Sequence, residues 1–371
     1  MTLELRQIEK TLGTDVHIHP TDLVLEAGGF NILLGTTLSG KTTLMQLMAG
    51  LDRPTGGSLH FNGKDVTGMR VQNRNVSMVY QQFINYPNFT VYENIASPLR
   101  VARMPDAEIK KRVGAMADLM RLSPMLDRKP AELSGGQQQR TALARALVKD
   151  SELVLLDEPL ANLDFKLREE LREELPKLFA DRNCIVVYAT TEPIEALLLG
   201  GSTATLHEGR VTQFGPTGDV YRNPKDVISA QVFSEPPMNT ATVRKVGNRV
   251  DLGGIAYWPC PAVLSDKPDG DYQIGLRPHH VTPAANGPGG SDDPDGAEDG
   301  RVKISGEVLV TELSGSESTV HFKVGPEVWV SLAHGIHSIG VGETAELYAD
   351  LSQAFYFGTD GALIAAQEGN G

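Results

Sequence analysis

The stretch "FNILLGTTLSGKTTLMQLMAGL", residues 30–51, decides the fold. It opens with an apolar run of strand length and closes with helical periodicity, and a Thr- and Gly-containing loop joins the two. Residues 35–42 match G-x-x-x-x-G-K-[ST], with Gly35 ending the strand and Thr42 opening the helix. Such a loop is a phosphate cradle. Backbone N–H groups of Gly35, Thr36, Thr37, Leu38, Ser39 and Gly40, and of the helix start at Lys41, Thr42 and Thr43, face a polyphosphate. Lys41 sets a positive charge on the β- and γ-phosphates, and the Thr42 hydroxyl can ligate Mg²⁺.

Working outward, "LVLLDEP" at 153–159 is a second buried strand that ends in two carboxylates. Asp157 is suited to bind Mg²⁺, and Glu158 to polarise an attacking water. "CIVVYA" at 184–189 is a third strand. Between these two lies the helix "FKLREELREELPKLF", with Leu167, Leu171, Leu175 and Leu178 as its apolar stripe. Pro176 is expected to kink that helix or mark a boundary. Strands alternating with helices predict a parallel α/β sheet.

"LSGGQQQRTALARALV", residues 133–148, places Ser134, Gly135 and Gly136 directly before another helix. This is a second anion-binding helix N-terminus. One Lys-bearing phosphate loop does not need it, but head-to-tail pairing does. Each subunit then closes its Ser-Gly-Gly over the nucleotide of its partner.

Beyond Phe233 the texture changes to short, alternating, Val-rich runs separated by Gly, Pro and Asp turns, which predicts a small all-β barrel over 235–371. The acidic, Gly-rich segment 283–300 reads as a disordered loop, and its Pro and Gly positions do not fit an EF-hand. The net charge of −13 argues against a nucleic-acid partner. Having only two cysteines argues against a disulfide framework, and "MTLELRQIEK" has no secretory h-region. No apolar run is long enough to span a bilayer, so a cytoplasmic protein is expected, with any membrane association made through a partner.

Taken in order, these motifs resemble the nucleotide-binding subunit of an ATP-binding-cassette transporter: the phosphate loop, "MVYQQFINYP" with Gln81, the LSGGQ signature at 133–137, "LLDEP" at 155–159 and "LANLD" with Asp164. The resemblance implies a P-loop cassette over 1–234, with a helical subdomain at about 83–150, ahead of an OB-like regulatory barrel. "GLRP" at 275–278 is similar to the tail of carbohydrate importers of the maltose and glycerol-phosphate type. "YQQFINYPNFTVYENIASPLRVA" and "VYATTEPIEALLLGG" look closest to ATPase subunits of glycerol importers. It also implies ATP with Mg²⁺ held by Thr42, Gln81 and Asp157, and contacts from Ser134, Gly135, Gly136, Gln137 and Asp164. The implied partners are a second cassette subunit, membrane-spanning permeases and, indirectly, a periplasmic solute-binding protein. The subunit would then sit on the cytoplasmic face of the bacterial inner membrane. Residues 83–89 would receive a permease helix.

Three positions depart from that pattern. Leu12 stands where an aromatic ring usually stacks on adenine. Leu38 replaces a loop glycine, so the loop must avoid φ > 0 there or tolerate strain. Thr191 replaces the histidine that faces the γ-phosphate. A threonine hydroxyl donates one hydrogen bond but carries no charge. A heterodimer with unequal sites, or a weakly hydrolysing subunit, is the expectation that follows.

Overall fold

The computed structural model describes residues 1–161, 163–180, 182–283 and 300–366. The expected loop at 283–300 therefore lies almost wholly outside the described residues. The chain forms two compact units, residues 1–218 and 219–371. That division falls upstream of the composition change at 235. Two contacts join the intervening residues to the second unit: the Tyr221 carbonyl accepts from Arg277 at 2.6 Å, and Ala230 of the short helix Val227–Val232 is buried with Met238, Phe355 and Phe357.

In the first unit, β1 (Thr2–Leu12) and β2 (Asp15–Glu26) form a long antiparallel hairpin. The central sheet begins with β3 (Phe30–Gly35), buried at every position, and the loop after it leads into α1 (Lys41–Ala49). β4 (Gly56–Phe61) and β5 (Lys64–Asp65) extend the hairpin sheet in the order β2-β1-β4-β5. After β6 (Val76–Val79) come three helices: α2 (Val91–Val101), α3 (Asp106–Leu119) and α4 (Gly135–Leu147). All three fall between residues 91 and 147.

β7 (Leu153–Asp157) is followed by α5 (Phe165–Ala180), β8 (Ile185–Thr190), α6 (Pro193–Leu199), β9 (Ser202–His207) and β10 (Arg210–Pro216). The central sheet has the order β10-β9-β3-β8-β7-β6, parallel throughout except for β10 against β9. Its strands are near-continuous apolar runs because both faces are covered. Since β3, β7 and β8 run parallel as neighbours, the loops after Gly35, Asp157 and Thr190 emerge along one sheet edge, where α/β proteins bind ligands.

The α5 stripe differs from the periodicity in its last turn. Leu167, Leu171 and Leu175 are buried, but Phe179 takes the place expected for Leu178. Pro176 does not end the helix, which continues to Ala180. A larger ring on the buried side explains the choice: Phe179 packs edge-on against Phe30 at 5.8 Å.

The second unit is β-rich. One sheet contains β11 (Asn239–Val246), β12 (Arg249–Leu252), β13 (Ala256–Pro259), β14 (Gly270–Leu276) and two later strands. β15 (Val281–Pro283), β16 (Arg301–Leu313), β17 (Glu317–Val324), β18 (Glu327–His334) and β19 (Thr344–Asp350) make the other. β20 (Phe355–Phe357) and β21 (Leu363–Ala366) complete the first sheet. Alternating residues from both sheets share one core. It contains Trp258, whose indole donates to the Tyr356 hydroxyl at 3.2 Å, and Trp329, which donates to the Thr240 carbonyl at 3.1 Å.

Candidate active site

The loop after β3 folds tightly because two glycines admit close approach. A Cβ on Gly35 would lie 2.4 Å from Ser39 Oγ, and one on Gly40 would lie 2.9 Å from Ile18 Cδ1. Gly40 also sits at φ 103°, a conformation that other residues rarely adopt. Between them Leu38 has φ 68° with its side chain 96% exposed. Of the two options open at this position, the loop takes the strained one.

Lys41 is buried. Its ammonium donates to the carbonyls of Gly35 at 2.7 Å and Thr36 at 2.9 Å, and lies 3.6 Å from Glu158 Oε1. Burial pushes its pKa down, and Glu158 and Asp157 partly offset that. The Thr42 hydroxyl donates to Asp157 Oδ2 at 2.7 Å. Asp157 is buried at the end of β7, and burial pushes its carboxyl pKa up against the opposing pull of the Thr42 hydrogen bond. One residue on, the backbone turns left-handed at Glu158 (φ 46°), and the Glu158 amide donates to the Ala189 carbonyl of β8 at 3.0 Å. The turn sends the Glu158 carboxylate toward the cleft, where Gln81 Nε2 donates to its Oε2 at 2.9 Å.

Five residues expected at the site thus converge: Lys41, Thr42, Gln81, Asp157 and Glu158. Lys41, Thr42, Gln81 and Glu158 border a cleft of about 500 Å³, and Asp157 lies behind Thr42, held by its hydroxyl. The opposite wall carries Asp15, Val16 and His17 of β2, with Glu208 and Gly209 from the β9–β10 turn. Gly209 braces the loop, since its amide donates to the Ser39 carbonyl at 2.9 Å and its carbonyl accepts from the His19 amide at 2.9 Å. Sequence reasoning missed this wall. Its only local signal was the tight "HEGR" turn between two strands, and nothing in it pointed to residues far away in the chain.

Other expected residues lie outside the cleft wall. Leu12 is 54% exposed at the hairpin end, and Asp15, Val16 and His17 occupy the wall instead. Ser134 caps α4 through a reciprocal pair: its Oγ accepts from the Gln137 amide at 3.4 Å, and its own amide donates to Gln137 Oε1 at 2.9 Å. Gly135 is exposed beside it. None of Ser134, Gly135, Gly136 and Gln137 lines the cleft that Lys41 borders. Asp164 caps α5 by accepting from the Leu167 amide at 3.0 Å.

Thr191 is exposed on the turn after β8. The neighbouring Thr190 is the buried one and donates to Glu195 Oε2 at 2.6 Å. Glu192 anchors the turn to α5, accepting from Arg168 at 3.0 Å and from Arg172 at 2.8 Å.

Thr42 and Asp157 carry only oxygen on their side chains, and Gln81 has an amide oxygen besides the Nε2 that donates to Glu158; oxygen is the donor type that a hard divalent cation takes. Among the described residues no cluster of three His, Cys, Asp or Glu forms a self-sufficient metal cage. One carboxylate and one hydroxyl beside a phosphate cradle suit an ion that shares its coordination with phosphate oxygens and water. Asp157, buried and raised in pKa, gains most from such a cation.

Residues 18–161 match the ABC transporter family model. The chain is 35% identical to the sn-glycerol-3-phosphate import ATP-binding protein UgpC of Cupriavidus pinatubonensis, over 87% of this chain and 88% of that protein. It is 36% identical to the Fe(3+) ions import ATP-binding protein FbpC of Photobacterium profundum, over 76% and 80% respectively. A dimeric post-hydrolysis structure of the ATP-binding cassette MJ0796 bound to ADP and Pi superposes with a TM-score of 0.54 at 28% identity. It covers 58% of this chain and 98% of that one. Among the described residues no helix is long and apolar enough to cross a membrane. With its phosphate loop, paired carboxylates and capped signature helix in place, the chain belongs to the ATP-binding-cassette transporter family, as the ATP-hydrolysing subunit of an importer.

Proposed function

We propose that this subunit powers uptake of glycerol, a glycerol phosphate or a related polyol or sugar from the cytoplasmic face of the bacterial inner membrane. The observation that carries the motor role is the convergence of Lys41, Thr42, Asp157, Glu158 and Gln81 at one sheet edge. The solute class rests on the sequence resemblance and on the UgpC relatives.

In this reading the loop amides and Lys41 hold the ATP phosphates, while Thr42, Asp157 and Gln81 hold Mg²⁺. When bound, that ion neutralises charge that develops on the phosphate oxygens. Glu158 orients the attacking water and takes up its proton. Ser134, Gly135, Gly136 and Gln137 serve the nucleotide of a second cassette subunit, which is consistent with an anion-binding helix start that does not line its own cleft. The exposed Ile84, Tyr86 and Phe89 meet the permease subunits.

The test is MgATP hydrolysis by the assembled importer. Lys41→Ala combined with Glu158→Gln is expected to abolish it, and retained turnover refutes the motor role.

A second reading, a weakly hydrolysing member of a heterodimer, is favoured by Thr191. One lost positioned donor costs about 2.7–4 kcal/mol in the transition state. Thr191→His is expected to raise single-turnover hydrolysis at this subunit's own site by about tenfold or more. No change would remove the basis for unequal sites.

A further inference from the structure

The segment from Gln81 to Phe89 begins at the cleft and ends as an exposed apolar surface. Gln81 touches Glu158, whereas Ile84, Tyr86 and Phe89 are 59%, 50% and 39% exposed. The inference below rests on the reading that this surface receives the permease.

The same segment is tied to a second place. Arg145, in the last turn of α4, donates through Nη2 to the Ile84 carbonyl at 2.5 Å and through Nη1 to Asn94 Oδ1 at 3.4 Å. Its guanidinium lies over the Tyr86 ring, 4.8 Å from the centroid. Asn85 Nδ2 donates to the Gln138 carbonyl on the first turn of α4 at 2.8 Å. Asn94, fully buried on α2, accepts from the Tyr86 amide at 2.9 Å and donates to the carbonyls of Tyr86, Phe89 and Thr90. The segment is thereby fixed at both ends of a helix whose first residues carry the signature. Gly135 and Arg145 stand about 15 Å apart along that rigid axis.

We propose that Arg145 is a positioning residue that fastens the permease-facing segment to the signature helix. One docked permease loop then drives two nucleotide sites. It reaches this chain's own site through Gln81, and that of the second subunit through residues 134–137. An arginine suits the task because its planar fork holds a carbonyl and an amide oxygen while its face covers an aromatic ring.

The test follows amide hydrogen exchange of the full chain, alone and assembled with its permease subunits in nanodiscs, together with MgATP turnover of the isolated chain. In the wild type, assembly is expected to slow exchange about tenfold or more in both 84–89 and 135–138. In Arg145→Met, the slowing at 84–89 persists and that at 135–138 falls to within about twofold of the unassembled chain. Turnover of the isolated variant stays within about twofold of wild type. Retained slowing at 135–138 in Arg145→Met overturns the proposal. So does a parallel loss of turnover in the isolated variant, which marks a merely structural arginine. If the wild type shows no slowing at 84–89, the docking reading itself has failed, and the clamp falls with it. Asn85→Ala cuts the other tie and carries the same expectation should Arg145→Met not fold.

Discussion

Leu38 offers the sharpest test of the loop conformation. Its φ of 68° lies in the left-handed region, and its side chain is 96% exposed. A residue with a Cβ costs about 1–2 kcal/mol there. Glycine removes that cost but loses about 0.4–1 kcal/mol through the greater freedom of the unfolded chain. Truncating the side chain forfeits almost no buried area. Leu38→Gly should therefore stabilise the cassette by about 0.8 kcal/mol, or about 2–3 °C in Tm. Leu38→Ala keeps both the Cβ and the strain, and should remain within about 0.5 kcal/mol of wild type. The gap between the glycine and alanine variants isolates the backbone contribution. Urea unfolding followed by helical ellipticity measures it, because the long helices α2 to α5 lie in the first unit. MgATP affinity should be alike in all three proteins, because the loop meets phosphate through backbone N–H groups and the Leu38 side chain is exposed. Glycine and alanine variants of equal stability, or a glycine variant less stable than the alanine one, would refute a left-handed Leu38.

Two further expectations concern the carboxylate beside the loop. Thr42→Val removes the donor to Asp157 and leaves a buried acceptor unpaired, at a cost of about 1–3 kcal/mol in stability; nucleotide titrations should show Mg²⁺-dependent binding weakened and Mg²⁺-free binding retained. Asp157 has a folded-state pKa raised by burial, so the native state holds its proton more tightly than the unfolded chain does. Its contribution to stability thus falls as pH rises from the ordinary carboxylate value through the raised one. Asp157→Asn should gain on the wild type across that interval in urea midpoints measured from acid to neutral pH, and a gap that stays constant with pH would contradict this.

The parts of the site that could be read from the sequence are those whose chemistry is local. Gly35 to Thr42 specify a strand, a cradle and a helix within a few residues, and the apolar run before Asp157 fixes the depth of that carboxylate. The far wall could not be read, because Asp15, Val16 and His17 meet Glu208 and Gly209 only through pairing across two sheets. Leu38 shows a different limit: sequence posed the choice between avoidance and strain, and only the packed loop decides it. Phe179 displaced Leu178 because periodicity ranks positions by angle, whereas packing also weighs the shape of Phe30 opposite. The two compact units divide at residue 218, ahead of the change in composition. Composition changes only near residue 235, while Ala230, ahead of it, is buried with Met238, Phe355 and Phe357 of the second unit.

The two tryptophans have a practical consequence. Both lie in the second unit, at positions 258 and 329, each almost fully buried and each with its indole N–H engaged. Indole fluorescence is therefore a built-in reporter of the β-rich unit alone. Its emission should stay blue-shifted while that unit remains folded, and move to the red only when its core opens to water. The cassette contributes tyrosines but no indole. A denaturation curve read at two wavelengths, one for helix ellipticity and one for indole emission, would resolve whether the two units melt together or in turn. A tryptophan placed in the cassette at an exposed position lining the cleft, such as Val16, would be the probe still needed to watch nucleotide arrive.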